Sequence, residues 1–324
     1  MKKILVALLA LTFVVTAMAS MGEKNTIIIY SCLEQFRANV LQAQLNEEFP
    51  DLNVRVMYVS TVKVASKIDA EKTGTDADIV VGLDNAYVEM IKDNFADVSM
   101  YSHLDYIPDF KNMDPKYLIL ERQAGSIVVN NEVLAKYNLP MPQTYEDLLD
   151  PMYKGLIAMP DPKSSGTGYF FYKGLVNVWG EEKTLDYFDQ LYANIKQFTE
   201  SGSGPIKLLI QGEVAIGFAL TFQAVDEINN GHDFTIITPE FGSPYSLDSI
   251  AMIKGREKNS DVVRVFEYIA NEYVVYDKEH FSPETVLVGQ ENTIPNYPQN
   301  ITYADMTGVG DIQEKERLLE LWKY

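Results

Sequence analysis

The chain has 324 residues, one cysteine, and 27 Lys+Arg against 46 Asp+Glu, a formal net charge of −19 at pH 7. One cysteine excludes an intramolecular disulfide framework and any CxxC zinc or redox motif. The acidity excludes a general nucleic-acid binder, whose affinity needs a basic footprint. A chain of this length that is 47% hydrophobic and 23% charged is a folded one, divided into two domains.

Met1-Lys2-Lys3 supplies a positive leader start, and Ile4 to Val15 is an apolar run too short for a membrane anchor. Ala17-Met18-Ala19 then forms an A-x-A site. Residues 1–19 are therefore expected to be a signal peptide cleaved after Ala19, delivering a soluble protein to the periplasm. Cleavage removes two lysines and no acid, so the mature chain is more acidic still.

Thr26–Tyr30 reads as a β-branched strand, followed by helical spacing of Leu33, Phe36, Val40 and Ala43. Val54, Val56 and Tyr58 alternate as a second strand; Val62–Lys72 fits a helix and Asp78–Val81 a buried third strand. This βαβαβ order predicts a mostly parallel sheet with helices on its faces. Ligands bind such sheets beyond the carboxyl ends of the strands. Those ends carry Ser31-Cys32, Ser60-Thr61 and Asp84-Asn85, all small or polar. Ordinary polar turns would use the same residues.

Residues 99–122 form a Tyr-, Pro- and Asp-rich connection, and Gly125–Asn130 returns to strand. A second unit follows, with strands at Gly155–Met159, Val214–Leu220 and Phe234–Thr238 and helices at 169–179, 184–195 and Gln223–Asn230. Ser249–Ile253 is another strand, before a helix with Val262, Phe266, Ile269 and Tyr273 and a terminal charged helix, Ile312–Trp322.

Two glycine-serine segments stand out. Pro162-Lys163-Ser164-Ser165-Gly166-Thr167-Gly168 lies between a strand and an apolar helix, where serine caps the helix and small residues let amides approach a ligand. Free N–H groups and the helix dipole together make an anion site. Glu200-Ser201-Gly202-Ser203-Gly204-Pro205 precedes a second helix, with Ser203 or Gly204 as its cap. Two well-capped helices without a ligand would leave the same signature.

The chain resembles the type II periplasmic solute-binding proteins of ABC transporters (extracellular solute-binding family 1), in the branch of ferric-iron, phosphonate and sugar-phosphate binders. The resemblance is carried by Ile28-Ile29-Tyr30-Ser31, Asp76-Ala77-Asp78-Ile79-Val80, Gly125-Ser126-Ile127-Val128-Val129-Asn130, Ser164–Gly168, Ser201–Pro205, Gly212-Glu213-Val214-Ala215-Ile216-Gly217, Ser249–Gly255 and Pro295–Pro298. It implies an α/β fold of two lobes joined by two hinge strands, with a ligand cleft between them. The first lobe would comprise 20–124 and 249–324, and the second 125–248, hinged near Gln123–Ser126 and Leu247–Ser249. It further implies a monomer without catalytic residues or cofactor. Its partners would be a small solute and a cognate inner-membrane ABC permease.

Ferric binders of this branch place two adjacent tyrosines after the strand matching Val214–Leu220. Here that position is Thr221-Phe222, so no metal ligands are assigned. The favoured solute is a phosphonate, sugar phosphate or other organophosphate. Ser164, Ser165, Gly166 and Thr167 would hold its anion, assisted by Ser201 and Ser203, with Thr221 and Gln223 on its polar body. Ser31, Cys32, Ser60, Thr61, Asp84 and Asn85 would close from the other lobe, and Asp84 or Asp248 would pair with a solute ammonium. The strong negative charge argues for a cation instead, such as a polyamine, thiamine or a metal. The competing class, an exported enzyme, rests on Cys32. His103, His232 and His280 fall in no motif, and HExxH, Gly-x-Ser-x-Gly and Walker A patterns are absent.

Overall fold

The computed structural model describes residues 26–111 and 113–324, so the expected leader lies outside the described residues. The first unit runs β1 (Thr26–Ser31), α1 (Gln35–Glu48), β2 (Asn53–Tyr58), α2 (Thr61–Glu71), β3 (Ile79–Asp84) and α3 (Asn85–Ile91). β1 pairs in parallel with β2 on one side and β3 on the other. Alternate residues of β1 enter different cores. Ile27 and Ile29 pack with Leu41, Leu45 and Phe266, while Tyr30 packs with Val64, Ile68 and Val80. Helices on both faces explain why β1 and β3 are apolar through most of their length, while the edge strand β2 alternates with polar residues.

β4 (Leu118–Asn130) leads into the second unit. There follow α4 (Asn131–Tyr137), β5 (Ile157–Pro160), α5 (Gly166–Trp179), α6 (Glu181–Leu191), β6 (Ile195–Thr199), α7 (Gly204–Ile210), β7 (Ile216–Leu220), α8 (Thr221–Asn229) and β8 (Phe234–Ile237). β9 (Tyr245–Met252) then returns between β3 and β4, antiparallel to both. α9 (Ser260–Tyr268), a π-helical turn at Ile269–Tyr273, α10 (Val274–His280) and α11 (Ile312–Leu321) complete the chain.

β4 changes partners midway. Ala124 and the residues before it pair with β9, while Gly125 onward pairs with β7, and Ile127–Asn130 also with β8. Gly125 permits this crossing, since a Cβ there would stand 2.5 Å from the Phe171 ring. The second core is aromatic: Tyr169, Phe170, Phe171 and Tyr172 are all essentially buried, with Phe188 and Phe218. That run is core and not a ligand-stacking surface.

Three expectations are corrected. The connection at 99–122 contains the first half of β4, whose backbone groups are satisfied by β9. The helix expected at 184–195 ends at Leu191, and Ile195 opens β6 instead. The tail does not all return to the first unit. Tyr297, Ala304, Met306, Leu318 and Trp322 join the second core, where the Trp322 ring lies 4.9 Å from Phe188 and 5.3 Å from Tyr172.

Candidate functional site

The carboxyl ends of β1–β3 face the loops after β5 and β6 across a cavity of about 400 Å³. Eleven expected residues line it: Cys32, Ser60, Thr61, Asp84, Ser164, Ser165, Gly166, Thr167, Ser201, Ser203 and Asp248. Two helices begin on it from opposite sides, α2 with Thr61–Lys63 and α5 with Gly166 and Thr167. First-turn amides lack intrahelical partners and carry the positive end of the dipole, so both starts favour an anion between them.

The α5 start is ordered by its own sequence. Ser165 Oγ accepts from the Gly168 amide at 3.4 Å, and the Ser164 and Ser165 amides donate to the Asp161 carbonyl. Gly202 lets the Ser201–Ser203 loop lie against Thr167, for a Cβ there would collide with the threonine hydroxyl. Ser203 stands at the cap position of α7 but makes no side-chain cap bond. The two lobes come close here: a Cβ on Gly166 would lie 3.8 Å from Asp84 Oδ2.

Four expected residues stand outside the cavity lining. Ser31 is fully buried, its pleat direction turning the hydroxyl into the protein, where it has no hydrogen-bond partner among the described residues. Asn85 opens α3 and is turned to accept a hydrogen bond from Ser249 Oγ. Thr221 shares a 2.7 Å hydrogen bond with Ser126, and Gln223 is buried on α8. The structure thus brings eleven of the expected residues to the cavity and seats these four beside it. Helix starts direct successive side chains around the axis, so only part of each βα turn faces the cleft.

Lys315, which sequence reasoning missed, also lines the cavity. It comes from α11, is 3% exposed, and has Nζ 3.8 Å from Asp84 Oδ1, 4.4 Å from the Tyr87 ring centre and 4.8 Å from that of Tyr169. A signal existed: Lys315 shares the face of Leu318 and Trp322 at helical spacing, so this lysine belonged to the buried stripe. Lys63, Lys163, Glu34, Tyr58, Tyr87, Gln123, Glu200 and Ser246 complete the polar lining unforeseen from sequence.

Behind the first-lobe wall lies a buried ion network. Arg37 donates to Glu121 at 2.9 Å, to Glu34 at 3.2 Å and to Asp277 at 2.6 Å. Burial opposes ionisation of Glu121, but Arg37 and Lys278 hold its carboxyl below the usual range. Burial, then nearby Asp248, pushes the Cys32 thiol well up, which leaves it a poor nucleophile at neutral pH. Among the described residues no group of three or more His, Cys, Asp or Glu is arranged to hold a metal ion.

A polar cavity at the strand ends, walled by helix starts and small side chains, is shaped to hold a small solute. The sequence pattern of the bacterial extracellular solute-binding proteins matches residues 75–297, and the chain belongs to that non-enzymatic family. Its members serve as extracellular or periplasmic solute-binding components of transporters. An uncharacterized protein of Haemophilus influenzae is 26% identical, the match covering 80% of this chain and 76% of the relative. The periplasmic binding protein P5PA has a similar structure, with a TM-score of 0.77 and 22% identity over 92% of this chain and 98% of that one. AfuA from Actinobacillus pleuropneumoniae, solved with fructose-6-phosphate bound, gives 0.76 and 21% over 92% and 98%. The apo ferric ion-binding protein A of Pasteurella haemolytica gives 0.74 and 17% over 92% and 96%. The expected α/β periplasmic-binding-protein fold is therefore the one observed.

Proposed function

We propose that this protein captures a small solute bearing a phosphate or phosphonate group in the cleft and delivers it to an ABC permease of the inner membrane. The observation that carries the reading is the convergence of two helix N-termini and the buried Lys315 on one cavity. Gly166 and Thr167 offer first-turn amides, Ser164, Ser165, Ser201 and Ser203 offer hydroxyls, and Ser60 and Thr61 approach from the other side. The sugar phosphate bound to the structurally similar AfuA supports the same ligand class. Export after cleavage at Ala19 and closure of the lobes about Gln123–Ser126 and Leu247–Ser249 belong to this reading. So do the lobes themselves, 20–124 with the chain from 249, and 125–248, with the terminal segment seated on the second.

A cationic solute is the second reading, favoured by the −19 charge and by Glu34, Asp84, Glu200 and Asp248 at the cavity wall. Screening reduces long-range repulsion over roughly 8 Å at physiological salt, while amide dipoles act at contact. A thermal-shift panel on metal-stripped protein separates the two, using sugar phosphates, phosphonates, polyamines, thiamine and ferric salts. Saturating solute at about a hundredfold excess over Kd adds about 2.7 kcal/mol. A shift with phosphorus compounds is expected; a shift with iron or amines alone overturns the anion reading.

A further inference from the structure

β3, β9 and β4 lie side by side, and their register sets Asp84 opposite Asp248 and Asp248 opposite Glu121. Directly opposed residues of paired strands share one face, so three carboxyl side chains stand in one row, with Asp84 and Asp248 at the cleft and Glu121 buried behind them. None of the nearby cations forms an ion pair or hydrogen bond with Asp248 among the described residues: Lys163 donates to the Trp322 carbonyl, and Lys63 stands on the cavity wall at the start of α2. Arg37 binds Glu121 and Asp277, Lys278 binds Asp277 and the Ser282 carbonyl, and Lys315 faces Asp84. Asp248 is 7% exposed and lines the cavity, and its carboxyl has no hydrogen-bond partner among the described residues. Its other ionisable neighbours, Cys32 after β1 and Glu34 before α1, bring no positive charge.

The geometry points to Asp248 meeting the solute as a neutral carboxylic acid that donates its O–H to a hydroxyl oxygen, so that the cleft selects a polyol phosphate over an aminoalkyl phosphonate. This inference rests on the cleft being the solute site. An ionised carboxylate in a row with two others, largely withdrawn from water and with no cation at hydrogen-bond distance, is costly, and protonation removes that cost. Burial, then Glu121 and Asp84, push this carboxyl far above its ordinary range, with Arg37 opposing. A protonated carboxyl is both donor and acceptor, the complement of a solute hydroxyl. A solute ammonium at the same point would displace the proton, so its binding would release that proton and strengthen with rising pH. Hydroxyl binding keeps the proton and weakens once it leaves.

The test titrates wild type, Asp248→Asn and Asp248→Ala calorimetrically with fructose 6-phosphate and 2-aminoethylphosphonate, in mildly acidic and mildly alkaline buffers. The sugar phosphate should bind wild type more tightly than the aminophosphonate. Asparagine, also neutral and a donor, should hold the sugar phosphate within about threefold, while alanine should lose about tenfold. A tenfold loss in the Asn variant, or aminophosphonate binding that releases a proton and strengthens in alkali, overturns the inference. An infrared difference spectrum of unliganded wild type against Asp248→Asn at neutral pH should show a protonated-carboxyl band belonging to Asp248; a carboxylate band in its place overturns it as well. If neither phosphate binds wild type, the solute reading fails separately, and the infrared band still decides the state of Asp248.

Discussion

Lys315 Nζ stands 3.8 Å from Asp84 Oδ1 across the cleft, joining a helix packed on the second lobe to the end of a strand in the first. Both side chains are largely withdrawn from water, at 4% and 13% exposure. A phosphate arriving between the helix starts would find this ammonium within the same cavity. Lys315→Met keeps the aliphatic packing and removes the charge. It should weaken binding of a phosphorylated probe by about tenfold or more, the range of charge-assisted hydrogen bonds. Calorimetric titration measures this, and unchanged affinity would place the anion elsewhere.

The α5 cap separates stability from binding. Ser165→Ala removes the acceptor for the Gly168 amide and should cost about 1 kcal/mol in urea denaturation. Ser165→Ala combined with Thr167→Ala should also weaken the phosphorylated probe strongly while the far-ultraviolet dichroism stays native. Intact affinity in the double variant would show that these hydroxyls and amides do not meet the solute.

Arg37 is fully buried, and its removal leaves both Glu121 and Asp277 without their main counter-charge. Arg37→Met should destabilise the protein by about 3–5 kcal/mol, because the stranded charges cost more than the pair contributed. A loss under about 1 kcal/mol in chemical denaturation would mean that water reaches these carboxylates.

Two carboxyls impose opposite pH dependences. The raised Asp248 keeps its proton in the native state while the unfolded chain releases it near pH 4. Native stability therefore falls as pH climbs from about 4 towards the folded value. Asp248→Asn lacks that proton and should melt higher than wild type at neutral pH, with the decline reduced. Glu121 is lowered despite burial, because Arg37 and Lys278 favour its charge. Its contribution is present above about pH 4 and disappears on acidification through the folded value. Melting temperature recorded against pH for wild type, Asp248→Asn and Glu121→Gln checks the two signs.

Much of the architecture was legible because its causes are local. Alternation in β2 and the serine cap of α5 arise from residues a few positions apart. β6 was not legible, since Leu191 and Ile195 keep helical spacing. Only the seating of Asn194 ends α6: its carbonyl accepts from the Gly155 amide, and its side-chain amide donates to the Leu148 and Asp150 carbonyls. In the site, the strand ends were visible as a group, but not which side chain of each pair faces inward. Ser31 and Asn85 turn away while Cys32 and Asp84 do not.

Residue order alone is enough to read an acidic, cysteine-poor chain of two α/β units with a capped helix start suited to an anion. Helix caps, strand alternation and turn residues act over a few bonds, so they can be read in order along the chain. Packing in three dimensions was needed to seat the terminal helix on the second core and send Lys315 to Asp84. It alone brought Asp84, Asp248 and Glu121 into one row. Charge interactions depend on separation in space and on exclusion of water, and neither is written in sequence distance. The excess of acids, opaque as a total, thus gains a local meaning at Asp248, where packing and not composition sets the state of the carboxyl.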